Sequence, residues 1–549
     1  MNVAATHWIG SAVLILGTTV SAWSQVPTRV KSSTPDSAAL EAATRLVDEL
    51  FQGEIAAAKT AEAKLTVIKQ IRAAAEKSGD DHAVEYRLLG RAIALSAETP
   101  HASQLLDLLH DLESRFDGDF VSVKADAVRK LAKSAKQTED VSVLINLTLE
   151  TVTGAVEADR YDEARELTKL AASEVKRFKN AGLKKAIDDL TATVTAVEKE
   201  FASISVARRS LAANIDDTQA ALAVGKFRCF VLKNWAVGLP LLARGSDQTL
   251  SELATLDLED PTPGYQRKAI ADGWYEYSKT VTRTAQEQSR RRALHWYRDA
   301  LPGLTDLPKT IAARRIDELQ KLIPIGPLPW GAVVLMTFEK PTWEARNGTI
   351  AIADLSGMKN PGRVSGATMV DGKVGKGISF RDRDDYLEFA DVPSLNSRSV
   401  SVCAWVCPRN LQSINAYIVS KDDWQETNNG YVLRFGRDTA NFTIGNGDWV
   451  PVHTRPTTKL ETDTWYHLAG TYDGQKLRMY LNGQFADEVL PGGSMRASKI
   501  LLRIGRSAYS PDRGIDGIVD ELAIFARGLS AEEVDTLYRM GVSGRPLLK

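Results

Sequence analysis

Cysteine is nearly absent: the chain has three in 549 residues, Cys229, Cys403 and Cys407. Cys403 and Cys407 stand four apart in SVSVCAWVCP, which reads as a strand. Four strand steps span ~13 Å, and a disulfide needs Cα atoms within ~7 Å, so those two do not pair along one strand. Cys229 falls in a different part of the chain. No disulfide framework is expected, and the three thiols read as buried. Net charge is as scarce: 69 Lys plus Arg against 70 Asp plus Glu leave −1 at pH 7. That balance removes the global electrostatic case for nucleic acid or an anionic membrane. Walker loops, glycine-rich dinucleotide loops and nucleophile elbows are missing. His110, His295 and His467 are isolated from Cys or a second His at ligand spacing. His467, in WYHLAG, reads as a core or cross-strand residue. The run Arg290-Arg291-Arg292 reads as a solvated helix face.

No Lys or Arg precedes the first apolar run, Trp8 to Val20. That run is shorter than the ~20 residues of a spanning helix, and Ala22-Trp23-Ser24 supplies small residues at the cleavage positions. We therefore expect a secretory signal peptide over 1–24 and a flexible linker over 25–36. Retention as an uncleaved anchor stays open, because the basic n-region is missing. Export to the periplasm, cell surface or extracellular space follows. The remaining length exceeds one ordinary core, so two or more domains are expected. Hydrophobic (44%) and charged (25%) fractions are globular.

Residues 37–322 are rich in Ala, Leu, Glu and Lys, with apolar residues recurring at three and four, which predicts helices throughout. Small residues stand near aromatic ones in ADRYDEARELTKLA, in GKFRCFVLKNWAVGLPLLARG and in RRRALHWYRDALPG. Such spacing lets paired helices approach closely. The segment resembles degenerate tetratricopeptide-like repeats, and an irregular helical domain stays open beside that reading. Pro324, Pro327 and Pro329 then mark a stiff linker over 323–330. Beyond it the period is two. About eleven strand-like runs over ~210 residues, without helices between them, predict an antiparallel β-sandwich. Asp473-Gly474 and Asn482-Gly483 read as type I′ hairpin turns. The fold class is thus multidomain, an all-α half followed by an all-β jelly roll at 331–541 and a tail at 542–549.

Seven segments carry a resemblance: DLSG (354–357), DGKVGKGISF (371–380), DDYLEF (384–389), SVSVCAWVCP (399–408), WYHLAGTYDGQKLRMYLNG (465–483), IGRSA (504–508) and GIVDELAIFARGLSAEEV (517–534). In this order they resemble the laminin-G-like, concanavalin A-like jelly-roll family, and the likeness covers roughly 331–540. The resemblance implies binding of carbohydrate or a protein partner at the loops or a sheet face. It also implies Ca²⁺ at the sandwich rim, for which Asp354, Asp385 and Asp520 match the acidic positions; oxygen ligands suit that hard cation. Some glycosidases of this fold carry Glu-x-Asp-x-x-Glu on one strand. Here Glu388 is followed by Asp391, which is the wrong spacing.

Asp520 and Glu521 are neighbours on a predicted strand, and strand neighbours point to opposite faces. They are therefore not expected to flank one sugar bond at the ~5–9.5 Å glycosidases need. Ser530 and Glu533 form a capping box that starts a closing helix. Trp424, Trp449 and Tyr509 lie in polar, Gly- and Asn-rich loops, where aromatics can stack on a sugar or anchor a peptide. The expectation is an exported, non-catalytic binding protein without nucleic-acid partners or a stable membrane span. The alternatives are a protein-interaction or surface-structural protein, and a glycoside hydrolase on the same fold.

Overall fold

The computed structural model describes residues 31–548 apart from 136–137, 179–180, 330, 340–342, 347–348, 359, 361, 382–383, 412–414, 424–427, 448–451, 492 and 511. The expected signal segment lies outside the described residues. No described helix is long and apolar enough to cross a membrane.

From Ser37 to Leu322 the chain is helical. Helices begin where the sequence supplies an acceptor: Asp36, Thr60, Asp81, Asp217, Asn234 and Asp247 each accept from the backbone N–H three residues on. Two large apolar cores result, with smaller clusters beside them. The first gathers Val47, Ile68, Leu89, Leu109 and Leu144. The second gathers Leu239, Leu253, Trp274, Tyr297 and Leu319. Small residues do bring helices together. A β-carbon at Gly225 would stand 2.9 Å from Leu242 N, and one at Gly238 2.9 Å from Cys229 N.

The second core holds a buried carboxylate, Asp257. It accepts from Trp274 Nε1 at 2.6 Å, Trp296 Nε1 at 3.0 Å and Arg292 Nε at 2.8 Å. This corrects the reading of Arg290-Arg291-Arg292 as a solvated face. Arg292 serves Asp257, and Arg291 bonds Glu287 at 2.9 Å and pairs with Glu532 at 3.3 Å. Asp257 and both indoles come together only in the fold, so the sequence run looked unpartnered.

After the linker, two antiparallel sheets stack. The eight-stranded sheet runs Gln484–Val489, Leu477–Leu481, Tyr466–Tyr472, Val400–Pro408, Gly517–Phe525, Lys376–Phe380, Thr368–Asp371, with Ala332–Met336 also on Gly517–Phe525. The nine-stranded sheet runs Val452–His453, Ala440–Asn446, Asn429–Phe435, Ala416–Asp422, Leu502–Ile504, Tyr386–Phe389, Gly362–Ser365, Thr349–Ile352, Trp343–Arg346. Among the strands beyond the expected eleven, Gly362–Ser365 alternates buried and open positions, whereas Thr368–Asp371, Val452–His453 and Gln484–Val489 do not. Between the sheets lie Val402, Ala404, Val406, Leu433, Phe442, Leu468 and Ile524. The opposite face of the eight-stranded sheet packs Cys403, Ala469, Ala523 and Phe525 against Val534, Leu537 and Met540 of the closing helix Ala531–Val542. That helix starts with the expected capping box. All three cysteines are free and buried, as expected.

Asn482 (φ 51°) and Gly483 (φ 74°) take the left-handed conformation the type I′ turn needs. The other turn differs from the reading. Only Gly474 is left-handed there, and Asp473 Oδ1 accepts from Gln475 N at 2.9 Å and Lys476 N at 2.7 Å, an Asx-type turn.

Candidate functional site

The paired acids near the C-terminus break the alternation expected of them. Trp405 stands opposite Asp520, and Cys403 opposite Ala523, so the register slips between them. Glu521 is the surplus residue, at φ 48°. A bulge of this kind puts two neighbours on one side. That side is the helix-covered one: the Trp405 ring stacks on Tyr538 of the closing helix at 5.6 Å, and Glu521 Oε2 accepts from Leu547 N in the tail. Asp520 Oδ2 accepts from Val374 N at 2.8 Å, and Oδ1 from Glu521 N at 2.7 Å. Burial pushes Asp520 up to about 7. Burial, then the Asp520 charge, pushes Glu521 up to about 9. The pair is buried away from solvent, Asp520 against the turn at 372–374 and Glu521 against the tail. His467 belongs to the same layer, paired with Trp405 across strands and buried; burial pushes its imidazole down to about 3.

The other proposed calcium ligands are engaged by N–H and O–H donors. Asp354 Oδ1 accepts from Leu335 N at 3.0 Å and Ser356 N at 2.8 Å; Oδ2 accepts from Ser356 Oγ at 2.7 Å and Asn360 N at 3.1 Å. Asp385 Oδ2 accepts from Arg381 N at 2.9 Å. Carboxylates aimed at backbone N–H groups fasten loops and do not fit a cation cage. Among the described residues, no group of three or more His, Cys, Asp or Glu is placed to hold a metal ion.

The outward side of the nine-stranded sheet carries a polar row that the sequence reading missed. Arg363, Glu388, Arg503, Ser420, Val432, Thr443 and His453 stand in register across it. Glu388 Oε2 accepts from Arg503 Nε at 2.9 Å and Nη2 at 2.7 Å. The Arg503 and Arg506 guanidiniums lie 5.0 and 3.9 Å from the Tyr386 ring centre. Alternation along YLEF and LRI was the available signal, since Leu387, Leu502 and Ile504 face inward.

Midway along this row Ser420 Oγ donates to the buried Asp422, whose carboxyl burial pushes up to about 6. Asp422 stands opposite Gly430, and Gly430 opposite Gly445. The loops holding Trp424 and Trp449 leave the sheet at the Asp422 end of this strand, and Gly447 N donates to Asn428 O between their bases at 3.0 Å. Both tryptophans lie outside the described residues. Tyr509 is described and 38% exposed. Its loop is fixed nearby: Ala508 N donates to Ser420 Oγ at 2.8 Å, and Arg503 Nη1 to Ala508 O at 3.1 Å. The Tyr509 loop is thus fastened over the middle of strand Ala416–Asp422, whereas the bases of both tryptophan loops lie at its Asp422 end. Lys421, beside Asp422, points inward and is fully engaged, donating to Asp391, Ser498 O and Ile500 O at 2.7–2.9 Å.

No curated protein matches the chain. Among solved structures it is similar to domain 4 of AbnA, an extracellular arabinanase from Geobacillus stearothermophilus, in complex with arabinotriose. That likeness has 20% identity, 38% of this chain, 98% of that chain and TM-score 0.31. It is similar to the binding domain of Paraclostridial Mosquitocidal Protein 1, with 19% identity, 38% and 52% coverage and TM-score 0.31. It is also similar to the botulinum neurotoxin serotype G binding domain, with 14% identity, 38% and 50% coverage and TM-score 0.29. The match spans about half the length of those two toxin domains. Residues 381–535, which lie within the antiparallel sandwich, match the family model described as the Concanavalin A-like lectin/glucanases superfamily.

Proposed function

We propose that the sandwich is a non-catalytic binding domain that takes a carbohydrate beside the Tyr509 loop on the outward side of the nine-stranded sheet. The supporting observation is the division of its two outer faces. The eight-stranded sheet is covered by the closing helix; on the nine-stranded sheet Arg363, Glu388, Arg503 and Tyr509 keep solvent contact while Ser420 and Thr443 are buried, which leaves the surface beside Tyr509 for a ligand. An exposed tyrosine beside buried, hydrogen-bonded polar groups suits a sugar, whose ring faces are apolar and whose hydroxyls need partners. Glu388 accepts two hydrogen bonds from Arg503, and the Asp520–Glu521 pair is buried and bonded to backbone N–H groups; both arrangements support structural roles for these acids. The helical half serves as a scaffold, and the protein is exported.

The test is a glycan array probed with the full chain, followed by calorimetry on each hit. Saturable binding weakened by Tyr509→Ala supports the reading. Silence across polysaccharides at about millimolar ligand would overturn it and favour a protein partner. Turnover abolished by Glu388→Gln would instead make the domain a hydrolase.

A further inference from the structure

The helical half is two lobes with a narrow joint. Its cores are separate, and between them lies a small aromatic cluster. Tyr161 meets Phe201 at 4.6 Å, and Phe201 meets Phe227 at 5.9 Å between ring centres. One carboxylate pins the joint: Asp159 accepts from Arg228 at 2.7 Å and pairs with Arg208 at 3.2 Å. A joint of this size leaves lobes free to move by default.

The sandwich touches both lobes. On the first, Arg398 donates to Asp107 and stands 3.6 Å from Asp111. Asp111 also pairs with Arg72 at 2.7 Å. The Gly474 turn lies against His110, where a β-carbon would stand 3.2 Å from the ring. On the second lobe, the closing helix brings Glu532 to Lys233 at 2.9 Å and to Arg291 at 3.3 Å. It brings Asp535 to Arg298 at 2.9 Å. Arg539 donates to Gln320 O at 2.7 Å and to Ile323 O, at the C-terminal end of helix Asp306–Leu322, where a cation meets the negative end of the helix dipole. Arg298, Asp535 and Arg539 are largely buried, so solvent screens these contacts little.

We propose that the sandwich is a brace: by gripping both lobes at once it fixes the angle between them. The helical half then presents one preset surface only while both grips are closed, and a partner spanning the lobes meets a preorganised site. The brace is a second role for the sandwich, independent of any ligand it holds.

The experiment uses the full chain with spin labels at Lys69→Cys and Thr249→Cys, both exposed, one on each lobe. The native thiols are buried and stay unlabelled. Pulsed dipolar spectroscopy then reads the interlobe distance. With Arg398→Glu the distance distribution should broaden about twofold, as expected when one of two attachments opens. Circular dichroism should be unchanged, and Asp107→Arg added to Arg398→Glu should narrow the distribution again. Arg298→Ala opens the other grip by a milder change and should also broaden it; it serves where Arg398→Glu does not fold. An unchanged width in a folded variant of either grip would overturn the proposal.

Discussion

Arg292 grips Asp257 through two guanidinium nitrogens in the second helical lobe, across 35 residues of chain. The same carboxylate holds the indoles of Trp274 and Trp296. Asp257→Ala would leave a guanidinium and two N–H donors unpaired in a dry core. Breaking one side of such a pair costs about 3–5 kcal/mol. Urea unfolding followed by tryptophan fluorescence should show a loss of that size, and a loss below about 1 kcal/mol would make the hub dispensable.

The buried acids Asp520 and Glu521 should make stability fall as pH rises. In an unfolded chain both titrate near pH ~4; in the fold burial holds Asp520 at about 7 and Glu521 at about 9. Between those limits the folded chain keeps protons that the unfolded chain releases, so each unit of pH costs up to about 1.4 kcal/mol per group. The contribution is fully favourable below pH ~4 and is lost as pH climbs through the folded values. Glu521→Gln keeps an acceptor for Leu547 N without a titrating proton. Its melting temperature should fall less steeply than the parent's between pH 7 and 9, a window set by those two folded values. Parallel pH profiles would contradict the assignment.

Gly541 sits where the closing helix meets the sheet. A β-carbon there would come within 2.0 Å of Trp405 Nε1. Gly541→Ala must therefore lift the helix or rotate the indole, and overpacking of this kind costs about 1–3 kcal/mol. The expected result is a lower melting temperature with a shifted Trp405 emission. Gly544→Ala, with open space around its β-carbon, still carries the strain of φ 67° and should leave that emission unshifted.

Much of this architecture was legible because it rests on local chemistry. Alternation gave the core strands, Asn482-Gly483 gave a tight turn, and Ser530 with Glu533 gave the closing helix. The Asp520–Glu521 geometry was hidden for a physical reason. The left-handed residue of the bulge is a glutamate, so no glycine announced the break and simple alternation placed the pair on opposite faces. Asp257 and the Arg398–Asp107 contact depend on long-range packing and leave no local pattern. The polar row lay in plain view as alternation along YLEF, yet only strand order shows that Glu388 meets Arg503.

Calcium should leave thermal stability unchanged. Asp354 already satisfies four donors, and Asp520 is buried and bonded to Val374 N and Glu521 N. A bound ion would stabilise by mass action, about 2.7 kcal/mol at a hundredfold excess over its dissociation constant. Melts with calcium and with chelator should therefore coincide. A rise that disappears in Asp520→Asn would restore the rim-site reading.

Tyr509 offers the sharpest test of the binding face. Its ring is exposed while its backbone is pinned through Ser507 Oγ and its neighbour Ala508 through Ser420. Such a side chain loses little conformational freedom on binding, so its contact energy is mostly retained. Tyr509→Ala should weaken a bound sugar by about 0.5–1.5 kcal/mol, with the melting temperature unmoved. Tyr509→Phe keeps the stacking surface and should retain most of the affinity. If both variants lose binding equally, the hydroxyl is the contact; if neither does, the ligand sits elsewhere on the loops. Calorimetry on the parent and both variants, run beside thermal melts, separates these cases.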